Sequence, residues 1–351
     1  MPRGTYLKPS LKPYDFKNGD NISDLVKIGI DLGDVNMVTA FDAVDNIGTP
    51  IEFLRTQLPG FVANVTQSLR IDRIVGATIA GNWSDEEIIQ GVLERRGEVG
   101  LYGDLTASNL QDFEFAFDKR TVVRFEDGIR VGLLEKDRAS RAGLDSTTTK
   151  RNTALRNLDI IRNAVGFRGY QTGANKTYGF LNDPGLPASV AVATVSGVTK
   201  WVDKSVKQIS DDIVDAVNDL VVSTGSNFDP YADDSVFVVP SSQYQFLNKQ
   251  NDFGRSALIF IKENYPKMRI EIAPEFDGAF NTNENGFYLY AERENQGDST
   301  DSGLTFEQIV PAKIKMLGLD NRAKHFDEHF SNATAGVMCK RPYNVIIRTG
   351  I

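Results

Sequence analysis

Cysteine, histidine and tryptophan are nearly absent from this 351-residue chain, which has one cysteine, two histidines and two tryptophans. The single Cys339 excludes a disulfide bond within the chain and is typical of a protein that assembles in the cytosol. No apolar run approaches the ~18 residues that a membrane helix needs, and the first residues lack the apolar core of a signal peptide. We therefore expect neither a secreted disulfide scaffold nor a membrane protein.

Both signs of charge are present, with an acidic excess. Hydrophobic residues make up 41% of the chain, charged residues make up 25%, and the formal net charge is −8. This composition is that of an ordinary globular protein, and the length suffices for two modest cores. A dedicated DNA-binding domain would usually be basic. An acidic chain can still line a container for DNA, because weak or repulsive contacts let the packed DNA slide.

The longest helical pattern begins at Asp145 or Ser146, either of which can cap the first turn with a side-chain oxygen. One apolar stripe then follows at spacings of three and four, which predicts a helix over residues 146–165, about 30 Å long. Gly166 stands where a glycine can end the helix. The stripe consists of Leu155, Leu158, Ile161 and Val165, and the basic residues Lys150, Arg151, Arg156 and Arg162 are expected off it.

Turn residues follow this helix, and the densest group is Asn182-Asp183-Pro184-Gly185. Before the helix, residues 86–102 and 113–134 are mostly strand-like, with a turn-rich tip between them. Phe113, Phe115 and Phe117 alternate strictly, which predicts one buried or partner-facing side. A two-stranded ribbon of this length is marginal alone, so we expect another surface to cover it.

The second half of the chain alternates helices and strands, which predicts a small α/β layer. A helix is predicted over residues 201–224 and shorter helices over 241–249 and 255–265. Strands are predicted at 237–240, 268–273 and 287–291, and two further strand-like runs lie at 305–317 and 337–348.

The long helix followed by Gly179-Phe180-Leu181-Asn182-Asp183-Pro184 resembles the major capsid proteins of tailed double-stranded-DNA bacteriophages, which share the Hong Kong 97 phage capsid fold. The segments around Gly254 and from Gly336 to Pro342 are also similar to that family. The resemblance implies an α+β fold. The domains that it implies are an N-terminal arm with lead-in helices (1–82), an extended E-loop hairpin (83–137), a peripheral domain (138–190 and 303–351) with the spine helix (146–165), and an axial domain (191–302).

The resemblance further implies a structural protein that assembles as hexamers and pentamers into an icosahedral head around double-stranded DNA, without sequence-specific binding. It implies a place in the virion after assembly in the host cytoplasm, contacts with scaffolding, decoration and portal proteins, and no membrane contact. No catalytic residue, metal site or cofactor is expected. The inter-subunit residues expected on the E-loop are Glu94, Arg95, Arg96, Phe113, Phe115, Phe117, Lys119 and Arg120.

Three alternatives remain at this stage. An encapsulin-like shell that holds enzymes shares the fold. His325-Phe-Asp-Glu328-His329 matches the spacing of an inverted zinc-protease motif, in which a helix presents both histidines to zinc and Glu328 acts as the base. We interpret this segment instead as a surface loop. The spacing from Asn281 to Glu292 is that of a calcium loop, although a turn between two strands explains it equally well.

Overall fold

The computed structural model of the chain describes residues 69–351, apart from 98–99, 101–103, 105–111, 142–144, 196, 281–282 and 295–298. The predicted arm therefore lies outside the described residues up to residue 68. The first described helix is the single turn α1 (Ile71–Ile74). None of the helices in the described ranges is long and apolar enough to cross a membrane.

A two-stranded antiparallel hairpin precedes the long helix. Its strands are β1 (Glu87–Arg96) and β2 (Asp112–Thr121), with Glu87 opposite Thr121. Residues 113–134 are mostly in strands, as predicted, but they form two strands, because the chain leaves the hairpin at Val122. Strand β3 (Val123–Gly132) belongs to another sheet, and α2 (Leu133–Arg141) follows it directly. The change of sheet has a packing cause, since Val122 is buried in a small apolar cluster with Ile309 and Met338.

The second sheet has three strands, and the long helix covers one of its faces. Strand β10 (His325–Thr334) lies between β3 and β9 (Ala312–Asn321), antiparallel to both. The helix is α3 (Ser146–Arg168). Its contact with the sheet is an apolar cluster formed by Ile129, Val131, Ala154, Leu158 and Phe330.

Helix α3 begins where the sequence predicts and ends three residues later than predicted. The Asp145 carboxylate accepts hydrogen bonds from the backbone N–H groups of Thr147 (3.0 Å) and Thr148 (3.2 Å). Gly166 does not end the helix, because it packs against α1, where an added Cβ would lie 2.7 Å from Cγ1 of Ile71. Gly169 ends the helix with a φ of 68°, a conformation that glycine adopts without strain.

The remaining strands form a five-stranded sheet and a small pair. The five-stranded order is β4 (Val190–Ala191), β12 (Val345–Thr349), β7 (Gly286–Ala291), β5 (Ser235–Pro240) and β6 (Met268–Ala273). Helices α4 (Val206–Ser223) and α6 (Ala257–Asn264) cover one face. The single turn α5 (Tyr244–Leu247) replaces the longer helix predicted over 241–249. Strands β8 (Phe306–Gln308) and β11 (Val337–Cys339) pair with each other.

Strand β12 pairs away from the long helix, although residues 303–351 are predicted in the same domain as that helix. This strand lies between β4 and β7, inside the sheet built from residues 190–291. Val345 and Ile347 face an aromatic cluster around Phe180, while Ile346 packs on the opposite side with the α4 cluster. A strand with apolar side chains on both faces is stable only when both faces are covered, which explains its central place.

Candidate subunit interface

The hairpin carries an exposed apolar face. The side chains of Phe113, Phe115 and Phe117 are 57%, 58% and 67% exposed. The register places Leu93 directly opposite Phe115, so that both lie on the same face, and Ile89 lies there as well. We call these five residues, Ile89, Leu93, Phe113, Phe115 and Phe117, the hairpin apolar face. Nothing among the described residues covers them, so this face is available to a partner.

The charged residues predicted on the hairpin divide into three cases. The side chains of Glu94, Arg95 and Arg96 lie outside the described residues. Lys119 is exposed and lies 3.6 Å from Glu87 on the facing strand. Arg120 is the correction, because it was expected at the surface and is buried. The alternation of residues along the hairpin could not predict the burial of Arg120, because the residues that bury it come from distant segments.

Arg120 joins the hairpin to the turn that follows α3. Its Nη2 donates to Oδ2 of Asp183 at 2.8 Å, and the guanidinium lies 5.1 Å from the centre of the Tyr178 ring. The same Asp183 carboxylate accepts from the backbone N–H of Gly185 at 2.8 Å and of Cys339 at 3.3 Å. Burial raises the pKa of the Cys339 thiol to about 12, and the Asp183 charge adds to the shift. We call Arg120, Tyr178, Asp183 and Cys339 the hairpin joint.

The backbone is tightly packed at the hairpin joint. Val337 N–H donates to the Tyr178 carbonyl oxygen at 2.9 Å. Gly336 approaches so closely that an added Cβ would lie 2.0 Å from that oxygen, and its φ is 79°. Asn182 accepts from Gly179 N–H at 2.7 Å and donates to the carbonyl oxygen of Arg168 at 2.8 Å, which satisfies the end of α3. Pro184, the third residue of the predicted turn, is exposed.

The predicted apolar stripe of α3 is only partly buried. Leu158 is 2% exposed and Val165 is 4% exposed, whereas Leu155 is partly buried and Ile161 is 40% exposed. Arg162, expected off the stripe, is buried and donates to Asp72 at 2.8 Å. Burial alone would lower the pKa of Arg162, but the hydrogen bond to Asp72 raises it. Ile161 is therefore no core residue, because α3 turns that side away from the sheet.

The two histidines lie on a strand, so both the helix of a zinc site and the predicted surface loop are wrong. His325 and His329 are on β10 and share one sheet face, about 13 Å apart. Glu328 points to the opposite face, where its Oε1 accepts from Arg151 of α3 at 2.6 Å. The Arg130 guanidinium lowers the pKa of Asp327, which lies between the histidines, to about 2. In the described ranges no three potential ligands come together as a metal site.

The calcium spacing also fails in its described part. Gly286 begins strand β7, and the Asn285 side chain accepts from Gly278 N–H at 2.9 Å. Glu292 lies 3.3 Å from Arg269. A turn between strands accounts for these residues, while Asn281 lies outside the described residues.

A long helix on a three-stranded sheet, an α/β layer and a projecting apolar hairpin together define a capsid protein of the Hong Kong 97 phage type. The chain belongs to the family described as Pa193 gp26 major capsid protein, which it matches over residues 40–350. It is a structural shell protein, and this membership favours a phage capsid over an encapsulin-like compartment. No curated protein matches the chain.

Solved capsid structures share the fold at low sequence identity. The capsid of Myoviridae phage XM1 is similar with a TM-score of 0.70 and 14% identity, over 88% of this chain and 100% of that chain. The capsid of a native GTA particle is similar with a TM-score of 0.58 and 14% identity, over 84% of this chain and 94% of that chain. The structure from Mycobacterium phage Ogopogo is similar with a TM-score of 0.51 and 11% identity, over 87% of this chain and 99% of that chain. The α+β capsid fold expected from the sequence is thereby confirmed.

Proposed function

We propose that this chain assembles as hexamers and pentamers into an icosahedral phage head that encloses double-stranded DNA. Family membership supports the shell itself. The observation that carries the contact between subunits is the hairpin apolar face, which a single chain leaves exposed. In this proposal each hairpin lies on a neighbouring subunit and buries that face.

The energetics of the hairpin suit such a contact. Five large apolar side chains, each about half exposed, would contribute about 1 kcal/mol apiece on burial. Association also loses rotational and translational freedom, so a single such contact is weak alone. In a closed shell every subunit gives and receives the contact, and many weak contacts act together.

The division into domains follows the sheets, with two changes from the sequence analysis. The E-loop hairpin comprises β1 and β2 only, and the peripheral domain comprises α3 with β3, β9 and β10. The axial domain is the five-stranded sheet with α4 and α6, and it includes β12. In the proposed assembly the axial domains meet at the centres of hexamers and pentamers.

Contact with DNA is proposed to be non-specific and weak. The formal net charge is −8. Two basic residues of α3 that could reach phosphates already bind acids in the same chain, since Lys150 binds Glu135 at 2.6 Å and Arg151 binds Glu328. Arg162 binds Asp72, and Arg156 also has a partner within the chain. Neutralised cations contribute little to phosphate binding.

The proposal extends to the biological setting. The protein acts without catalysis, metal or cofactor, and it is assembled in the host cytoplasm before it becomes part of the virion. Scaffolding, decoration and portal proteins are its proposed partners. Support for these points comes from family membership and from the separation of Glu328 and the two histidines onto opposite faces of β10.

The decisive experiment replaces Phe115 on the hairpin. Phe115→Asp is expected to leave the free subunit folded, because the side chain is exposed, and to reduce the yield of particles at least tenfold. Phe115→Leu is the matched control and should assemble normally. Particles are counted by sedimentation and electron microscopy, and their contents are analysed for nucleic acid. Normal particles from Phe115→Asp would refute the hairpin contact, and protein cargo in place of DNA would favour an encapsulin-like shell.

A further inference from the structure

Strand β9 is the outer strand of the three-stranded sheet, and nearly all of it is exposed. Its first residue, Ala312, is partly buried, and the following residues up to Asn321 are exposed. Its large apolar side chains Ile314, Met316, Leu317 and Leu319 are about half exposed. In the described part of the chain only β10 pairs with it, so its outer backbone N–H and C=O groups remain open to another strand.

The side chains of β9 do not alternate regularly, because its register with β10 shifts twice, once at Leu317 and once between Ala312 and Lys315. Gly318 lies opposite His329, but Met316 lies opposite the next residue of β10, Phe330. Met316 and Leu319 therefore share the sheet face that α3 covers in part, since their partners Phe330 and Glu328 contact α3. Lys315 and Asp320 share the other face by the same argument, opposite Ser331 and Asp327.

We propose that β9 pairs antiparallel with β9 of a second copy of this chain, about a two-fold axis between Leu317 and Gly318. In this register Met316 lies opposite Leu319 of the second copy, and Lys315 lies opposite Asp320 of the second copy. Each pair occurs twice because the contact is isologous. Two sheets of three strands thereby join into one of six strands that crosses from one subunit to the next.

The irregular alternation of β9 favours a second copy of β9 as its partner over a strand that alternates regularly. A regular strand that matched the side-chain faces before Leu317 would be out of phase after it, because a shift of one residue reverses the faces. A second β9 in the opposite direction carries the same extra residue at the axis, so the faces match on both sides of it over residues 315–320. The second register shift of β9 lies outside this paired segment. Bulges generally discourage edge pairing with foreign strands, which makes this edge selective.

The chemistry of the facing pairs agrees with this register. Opposite charges that face each other across two strands stabilise the pair, and so do apolar pairs. The ammonium of Lys315 is held on its face by the ring of Trp83, 3.9 Å from the ring centre. Asp320 lies 2.9 Å from Arg322, which directly follows β9. Both charged groups are exposed enough to reach a second copy.

This contact rests on shell assembly but differs from the proposed hairpin contact. Rotation within a hexamer or pentamer repeats a head-to-tail contact, whereas a two-fold contact joins two subunits symmetrically. Paired β9 strands can therefore link subunits of adjacent rings. The surface of one ten-residue strand is small compared with a stable interface, so the contact should form in particles and not in dilute subunits.

Engineered disulfides test the register directly. Facing Cβ atoms of an antiparallel pair lie about 5 Å apart, close enough for a disulfide after small shifts. The variant with both Met316→Cys and Leu319→Cys should give covalent dimers in oxidised particles. Each single variant should remain monomeric, because identical residues would lie about 10 Å apart across the axis. Cys339 does not interfere, because it is buried. Absence of dimers from the double variant in sedimenting particles, or equal dimers from both single variants, would overturn the proposal.

A measurement on the unmodified protein completes the test and does not depend on the assembly of variants. Amide hydrogens of β9 should exchange at least tenfold more slowly in particles than in free subunits, while those of β10 change little. Unchanged exchange in β9 would overturn the two-fold contact, even if the hairpin becomes protected. If particles form and β9 is protected while the hairpin is not, the two-fold contact stands and the proposed hairpin contact fails.

Discussion

Arg120 and Asp183 form a buried ion pair, with Nη2 and Oδ2 2.8 Å apart and side chains that are 2% and 0% exposed. Arg120 lies near the end of the hairpin and Asp183 follows the long helix, so this pair determines how the hairpin leaves the body of the protein. Backbone N–H groups of Gly185 and Cys339 complete the environment of the carboxylate. A buried carboxylate needs such partners, because an unpaired charge is strongly unfavourable there.

Replacement of Arg120 by alanine should destabilise the subunit by about 3–5 kcal/mol, because it leaves the Asp183 charge buried without its cation. Urea denaturation measures the loss. Lys119→Ala is the control on the adjacent residue, and since its pair with Glu87 is exposed, the change should be under about 1 kcal/mol. The combined variant Arg120→Met with Asp183→Leu should be less destabilised than Arg120→Ala. Equal effects at Arg120 and Lys119 would contradict the role of the buried pair.

A carboxylate should strongly destabilise the subunit at one apolar residue of α3 and have little effect on its stability at another. Leu158→Asp places a carboxylate in the contact with the three-stranded sheet and should destabilise the subunit by roughly 3–5 kcal/mol, giving insoluble or unassembled protein. Ile161→Asp should change subunit stability by about 1 kcal/mol or less, because Ile161 is 40% exposed. Thermal unfolding and solubility check both. If Ile161→Asp is as harmful to the free subunit as Leu158→Asp, the orientation of α3 is wrong.

Amide exchange should separate the hairpin from the sheet that follows it. Residues 87–96 and 112–121 are expected to exchange fast in free subunits and slowly in particles, because a lone two-stranded ribbon has little stability of its own. Strand β3 is paired with β10 and packed on α3, so it should be protected in both states. Equal protection of the hairpin in free subunits would place it in a packed domain and refute its role as a contact arm.

The histidines should be dispensable. Replacement of His325 and His329 by alanine is expected to leave particle yield and infectivity near normal, because Glu328 binds Arg151 on the opposite face of β10. Particle yield and metal content of the purified protein check this. A zinc ion bound in a one-to-one ratio in the original protein, with loss of assembly in the variant, would contradict it.

The thiol of Cys339 should be unreactive in the native subunit. Its pKa is raised to about 12 by burial, so at pH 8 the reactive thiolate is scarce as well as inaccessible. A thiol reagent should label the protein only after unfolding in urea. Fast labelling of the folded subunit would show that the β8–β11 pair opens readily in solution.

Helices with a single buried side could be predicted from the sequence, and α4 shows this. Val206, Ile209, Ile213, Val217 and Leu220 recur in the sequence at spacings of three and four, and all are buried. The capping box formed by Ser205 and Gln208 marks the start of that helix. One-sided packing of this kind depends only on local spacing, which the sequence displays.

Helix α3 was predicted less well because it packs against two surfaces at once. The sheet covers Leu158, while α1 and the turn at residues 274–276 cover Asn163 on another side. Asn163 binds the backbone N–H of Ile71 and the carboxylate of Glu275, which are distant in sequence. A spacing rule counts such polar residues as exposed, so it could not predict the burial of Arg162 and Asn163.

The change of sheet at Val122 and the position of β12 in the five-stranded sheet also depend on contacts between residues that are distant in sequence. Strands β2 and β3 both alternate, and only the cluster of Val122 with Ile309 and Met338 separates them into two sheets. The same holds for the predicted interface. Alternation along the strand predicts that the phenylalanines share one face, but it does not predict that Arg120 is buried. The capsid fold itself was predicted from short motifs that resemble the family. Two residues of these motifs, Asn182 and Asp183, connect the end of α3 with the hairpin and β11.

The hairpin joint also sets an order in time during synthesis. Asp183 and Cys339, which meet in the joint, are 156 residues apart. At about 5–20 residues per second, a ribosome needs about 10–30 s to cover that distance. During this interval the nascent chain already displays its hairpin, but the backbone of Gly336 and Cys339 that closes the joint has not been made. A chain that terminates before Gly336 can form the pair of Arg120 with Asp183 but lacks the backbone that packs around it. We therefore expect only a nearly complete chain to hold the hairpin in place and to join a shell.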